Sequence, residues 1–183
     1  MKRIFCYLII LLVAFITSCS KDGNEPEYEG EIILSSEKVK MGEIYNTVGF
    51  SFEKGKNVPY PITTDVIPDL VVTHLIDLDD NIIVTFTSPK NQEAFCLNQT
   101  FSSADKARTW FDSYSEAPES VYLPLADSVQ INQVWTIRTI NKTYAKLLIK
   151  KIVLMKDNPV ADYVNVTVDY QYQPDGSRMF NSK

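Results

Sequence analysis

The stretch Val164-Asn165-Val166-Thr167-Val168-Asp169-Tyr170-Gln171-Tyr172 decides the fold. Valine and tyrosine alternate strictly with polar residues, a period of two that gives an extended chain one apolar face and one polar face. Such a strand is stable only where a second layer covers the apolar face, so it predicts a sheet with a packed interior. Toward the N-terminus, Val134 to Ile140 and Tyr144 to Met155 are rich in branched and aromatic residues and are separated by Asn141-Lys142. They read as a hairpin, with Asp157-Asn158-Pro159 turning into the final strand. Further upstream, Leu70 to Leu78 and Ile82 to Thr87 flank Asp79-Asp80-Asn81 as a second hairpin, and Val48, Phe50 and Phe52 alternate with Gly49 and Ser51.

One helix interrupts this pattern. Ser102 is its expected cap, Asp105 is favoured in its first turn, and Ala104, Ala107, Phe111 and Tyr114 recur on one face, with Pro118 beyond its end. The expected architecture is mainly β, an antiparallel sheet or sandwich with one packed α-helix. The hairpins argue against a parallel sheet, whose strands need long crossovers.

The N-terminus predicts an address. Basic Lys2 and Arg3 precede an apolar run from Ile4 to Ile16, and Ile16-Thr17-Ser18-Cys19 forms a lipobox. This is the layout of a bacterial export signal, residues 1–18, cut before a cysteine that carries diacylglycerol. The run is shorter than the about 20 apolar residues of a membrane span. Each buried lipid methylene contributes about 0.8 kcal/mol, so two or three acyl chains on Cys19 anchor the protein stably. Residues 19–29 then read as an acylated cysteine and acidic tether, and residues 30–183 as a single β-rich domain large enough to fold without disulfides or metal. Ser20, in place of an inner-membrane retention aspartate, favours the outer membrane. Lys21-Asp22-Gly23-Asn24-Glu25-Pro26-Glu27 resembles the acidic tag of surface-exposed Bacteroidetes lipoproteins.

Removing Lys2 and Arg3 from the eighteen basic residues leaves sixteen against twenty-three acidic ones, a formal charge of −7. That excludes nucleic acid and anionic membrane surfaces as expected partners, since both select clustered Lys and Arg. Cys6 leaves with the signal and Cys19 is lipidated, so Cys96 has no intrachain partner. Between Phe95 and Leu97 it reads as a small buried side chain.

The chemistry is sparse. His74 is the single histidine, so a His-paired nucleophile or metal ligand must use it; in a strand it reads first as a half-buried structural residue. Asp77, Asp79 and Asn81 have the first spacings of a calcium loop, but Ile82 replaces the sharp-turn glycine and Ser88 the bidentate glutamate, which leaves a solvated turn. Nucleophile elbows, phosphate loops and zincin motifs are absent. A hydrolase would need a dispersed carboxylate pair that no motif nominates. Aromatics are plentiful: Trp135, Tyr170 and Tyr172 read as core, while Tyr122, between Val121 and Leu123 in an irregular segment, is the expected exposed one.

Three stretches carry a family resemblance: Gly49-Phe50-Ser51-Phe52-Glu53-Lys54-Gly55, then Val134 to Thr139 running into Lys142 to Ile149, and Val166 to Pro174. Through these the domain resembles the HmuY-like lipoproteins of Bacteroidetes, whose founding member captures heme. The resemblance implies an all-β domain, tethered or shed, that passes heme to a TonB-dependent outer-membrane receptor. Family iron ligands, a His pair or Met, come from the segment before the terminal strands, and residues 88–130 here contain neither. Met41, Met155 and Met179 lie elsewhere. Tyr114 and Tyr122 are the candidates inside that segment and His74 the one outside it; a tyrosine ligand would need a partner to ionise it. The expected function is a non-enzymatic ligand-binding lipoprotein that takes heme or another porphyrin in a cleft near residues 110–130. A glycan- or protein-binding accessory module is the alternative, and a hydrolase ranks last.

Overall fold

The structure is a computed structural model that describes residues 28–61, 66–156 and 160–180. The expected export signal, Cys19 and the expected turn at Asp157-Asn158-Pro159 lie outside the described residues. Among the described residues, eleven strands form two antiparallel sheets. One sheet has the order β1 (Glu29–Ser35), β11 (Tyr163–Gln173), β10 (Tyr144–Met155), β9 (Gln133–Arg138), β7 (Phe95–Thr100). The other runs β2 (Lys38–Met41), β3 (Ile44–Ser51), β5 (Leu70–Ile76), β6 (Ile82–Thr87), β8 (Leu125–Ala126), with β4 (Lys56–Tyr60) paired to β3. The expected antiparallel sandwich with one helix is therefore present.

β11 behaves as its alternation predicts. Val164, Val166, Val168, Tyr170 and Tyr172 are buried, and they meet Phe50, Phe52, Leu70, Val72, Val84 and Phe86 of the facing sheet and its flanks. Burying each of these side chains contributes about 1.5–3 kcal/mol. β10 lacks such alternation because its first half is covered on both faces: Ala145, Leu147 and Ile149 enter the sandwich, while Lys146 and Leu148 lie under the helix. A bulge between Ile149 and Lys151 ends that double coverage and leaves Lys150 and Lys151 exposed.

The helix, α1 (Ala104–Ser113), seats Ala107 and Phe111 on Val134 and Leu148. Its cap is Ser103, one residue after the expected Ser102: Ser103 is extended, and its hydroxyl accepts from the Lys106 amide. Ala104 is exposed, so the buried stripe is narrower than the spacing implied. At the other end Lys146, 2% exposed, donates from Nζ to the carbonyls of Phe111 and Tyr114, both at 2.7 Å. A cation thus satisfies carbonyls that a helix end leaves without partners. The rings of Phe111 and Phe180 flank the same ammonium at 4.7 and 5.4 Å.

The second sheet divides in a way that matters for the site. Thr47 of β3 lies opposite Lys38 on one side and Tyr60 on the other, while Gly49 lies opposite Val58 and Val71. β4 therefore follows one edge of β3, and β2 and β5 take the other edge in succession. The β3–β5 ladder spans only Gly49–Val71 and Phe50–Leu70, beyond which the β2–β3 and β5–β6 hairpins separate. Gly49 permits the crowding at this branch point, since a Cβ there would stand 2.5 Å from Pro68 Cβ.

Candidate functional site

The three candidate residues do not converge. Tyr114 and Tyr122 lie on the outer side of the first sheet, by β7 and β9, whereas His74 belongs to β5 of the other sheet.

Tyr122 is 6% exposed, which corrects the expectation that it projects into solvent. Its hydroxyl donates to the Pro118 carbonyl at 3.1 Å, and its ring lies between the Arg138 guanidinium and Tyr144. The irregular segment around it folds back on the sheet through paired hydrogen bonds between Phe95 and Leu123, so Val121 and Leu123 face out and Tyr122 faces in. Tyr114 is half-buried, stacks on Trp110 at 4.4 Å and donates to Asn98 Oδ1 at 3.1 Å, with Thr136 Oγ1 also at 3.1 Å. Burial pushes both phenols above the ordinary tyrosine range. They do not fit a metal ligand that must ionise.

Cys96 is partly exposed rather than buried, a second correction. It alternates with buried Phe95 on the edge strand β7, and its Sγ sits 3.2 Å from Ser120 Oγ. Trp135, Tyr170 and Tyr172 are buried as expected. The calcium-like spacing is a turn: Asp77 Oδ1 accepts the amides of Asp79 and Asn81 at 2.9 and 2.8 Å. The Asn81 side-chain amide above all, with these backbone amides, holds the Asp77 carboxyl below its ordinary range, and no acidic or histidine cluster suited to a metal occurs among the described residues.

His74 has a different setting. β1 leaves the first sheet at Ser35, and Ser36 carries the chain across to β2. The Ser36 amide donates to the Val164 carbonyl at 3.0 Å, and its hydroxyl accepts the Val164 amide at 2.8 Å. That hydroxyl also lies 2.9 Å from His74 Nδ1. A cavity of about 280 Å³ opens beside this clamp, in the branch between β2 and β5, lined by Lys38, Val72, His74, Asp162 and Tyr163 among others. The size approaches that of small-molecule sites. With Nδ1 facing Ser36, Nε2 is the ring nitrogen left for a ligand. Ser36 is buried and already accepts a backbone amide, so the pair clamps two strands rather than presenting a nucleophile.

The expected cleft lies near residues 110–130, whereas the His74 cavity is built by Ser36, Lys38 and residues 72–74 and 160–163. The missed signal was the pair of hairpins, whose separation depends on which strands share an edge of β3. A second cavity, about 330 Å³, lies by the first turn of α1 between Arg108, Asn132 and Lys150. Its cations are already engaged: Arg108 pairs with Asp169, and Lys150 with Glu31 and Asp169. Asp69 is the described carboxyl raised most clearly, to about 6, chiefly by burial, with Glu53 adding to it. It accepts the Phe52 amide at 3.0 Å and lines neither cavity.

No protein-family model and no curated protein matches the chain. Among the described residues no helix is long and apolar enough to cross a membrane.

Proposed function

We propose that the chain is a lipid-tethered, non-enzymatic capture module of the bacterial outer membrane, anchored through Cys19, with its binding end at the His74 cavity. Heme or another porphyrin is the proposed ligand. The observation that carries this reading is the position of His74 at the opposite end of the sandwich from Glu29, the start of β1. β1 runs from Glu29 beside Gln171 to Ser35 beside Asn165, so the chain enters at one end and reaches His74 at the other. The lipobox and acidic tether support the anchor, and the HmuY-like resemblance supports the ligand class and a TonB-dependent receptor as partner.

Of the three candidates, His74 alone offers an available nitrogen in a cavity, because the hydroxyls of Tyr114 and Tyr122 are committed to protein partners. An iron porphyrin would bring iron to the cavity, and His74 Nε2 is the group that would hold it. When Nδ1–H donates to the Ser36 hydroxyl, the lone pair is on Nε2, the tautomer a metal requires. Val72 offers apolar contact and Lys38 a positive charge at the rim suited to a carboxylate.

Titration of the folded protein with hemin tests this. The expected result is a shifted Soret band that is lost in His74→Ala and kept in Tyr114→Phe and Tyr122→Phe. Absence of a shift at micromolar hemin removes heme as the ligand. A protein-binding role is the second reading, favoured by the apolar hairpin ends beyond the cavity.

A further inference from the structure

Beyond the His74 cavity the two separated hairpins carry an unusual surface. Leu78, at the apex of the β5–β6 turn, is fully exposed, and Leu75, Ile76 and Ile82 below it are exposed as well. The β2–β3 hairpin adds Met41, Ile44 and Tyr45. Both turns point the same way: β3 is antiparallel to β5, so the start of β3 and the end of β5 lie at one end of the sheet. Singly exposed aliphatic residues are ordinary, but a cluster on adjacent hairpins marks an interaction surface.

The apex is rigid. Asp77 accepts the amides of Asp79 and Asn81, its other carboxylate oxygen accepts Asn81 Nδ2 at 3.0 Å, and its amide donates to the Asn81 carbonyl at 3.0 Å. Leu78 is thereby held outward before any partner arrives, which lowers the ordering cost of binding. Its surroundings are acidic. Asp79 and Asp80 follow it and make no ion pair among those described, and Glu43 occupies the neighbouring turn; Lys40, opposite Tyr45, is a nearby cation. A bilayer that took up Leu78 would draw these carboxylates into its interface at a cost. A protein pocket with a basic rim would instead pair them.

We infer that the β5–β6 apex, seconded by the β2–β3 turn, is a docking surface for a partner protein with an apolar pocket rimmed by Lys or Arg, and that Leu78 is its anchor. The inference rests on the tethered-module reading for the outward direction of this end, but not on heme.

Site-specific photo-crosslinking of the full-length chain in its native cells tests it. Benzoylphenylalanine is placed at Leu78, at Ile44, or at Thr109 on the exposed side of α1. The expected result is one discrete heterologous protein joined from positions 78 and 44 but not 109. From position 44, that product should fall at least tenfold in Leu78→Ser and in the Asp79→Lys/Asp80→Lys double variant, with the thermal midpoint and hemin titration unchanged. Crosslinks to a second copy, to lipid, or to nothing would overturn the inference, as would yields that survive the charge reversal. Membrane fractionation of the same cells reports the anchor separately, so failure of docking and failure of the tether are distinguishable.

Discussion

Lys146 shows how one residue joins two parts of the molecule. Its ammonium is sealed between Phe111 and Phe180 and closes the end of α1, so replacement leaves two carbonyls without their partner. Lys146→Met is expected to lose about 2–4 kcal/mol of unfolding free energy in urea titration. Asp69 gives a pH signature of the opposite kind. Its carboxyl titrates near 6 when folded, against 3.8 unfolded, so the folded state binds the proton more tightly. Its contribution is fully present below about pH 3.8 and is lost as pH rises through 6, a loss of about 3 kcal/mol. Relative to wild type, Asp69→Asn is expected to gain stability as pH rises from 4 to 7 and to level off above that, measured by denaturant melts across the range. His74 and Tyr122 have the residue types that ligate iron, yet only packing distinguishes a ring at a cavity from a ring sealed under Arg138.

Among the elements, β11 was legible because one face meets core and the other does not, so the pattern of side chains is the pattern of burial. β10 hid its arrangement, since coverage by α1 erases alternation in Lys146 and Leu148. The cap moved by one residue because Ser102 and Ser103 have the same chemistry and backbone direction selects between them. Ser103→Ala is expected to cost about 1 kcal/mol in thermal or chemical denaturation. The short strands β2, β4 and β8 carry few alternating residues and acquire their places from long-range pairing, which no local periodicity encodes. The branch at Gly49 is the most consequential of these. Gly49→Ala is expected to cost about 1–3 kcal/mol by overpacking against Pro68 and Val71, and to weaken ligand binding at the His74 cavity; urea melts and titration of the same protein check both.

For the whole molecule, the sandwich was readable in the sequence but the arrangement of its two ends was not. Apolar exposure at Leu75, Ile76 and Leu78 looks from composition like ordinary strand hydrophobicity, and it becomes a surface only once the β5–β6 hairpin extends past its neighbours. In the proposed setting, Cys19→Ser is expected to move the protein from the membrane to the soluble fraction on cell fractionation while leaving the fold unchanged. The path of β1 has a mechanical consequence. Were the proposed partner to grip the hairpin ends while the proposed lipid anchor held the N-terminus, β1 would be pulled along its own axis against β11. Its seven registered pairs, Glu29–Gln171 through Ser35–Asn165, are then loaded together in shear rather than peeled one at a time. The strand that leads from Glu29 to the His74 cavity is thus oriented to bear tension along its length without unravelling.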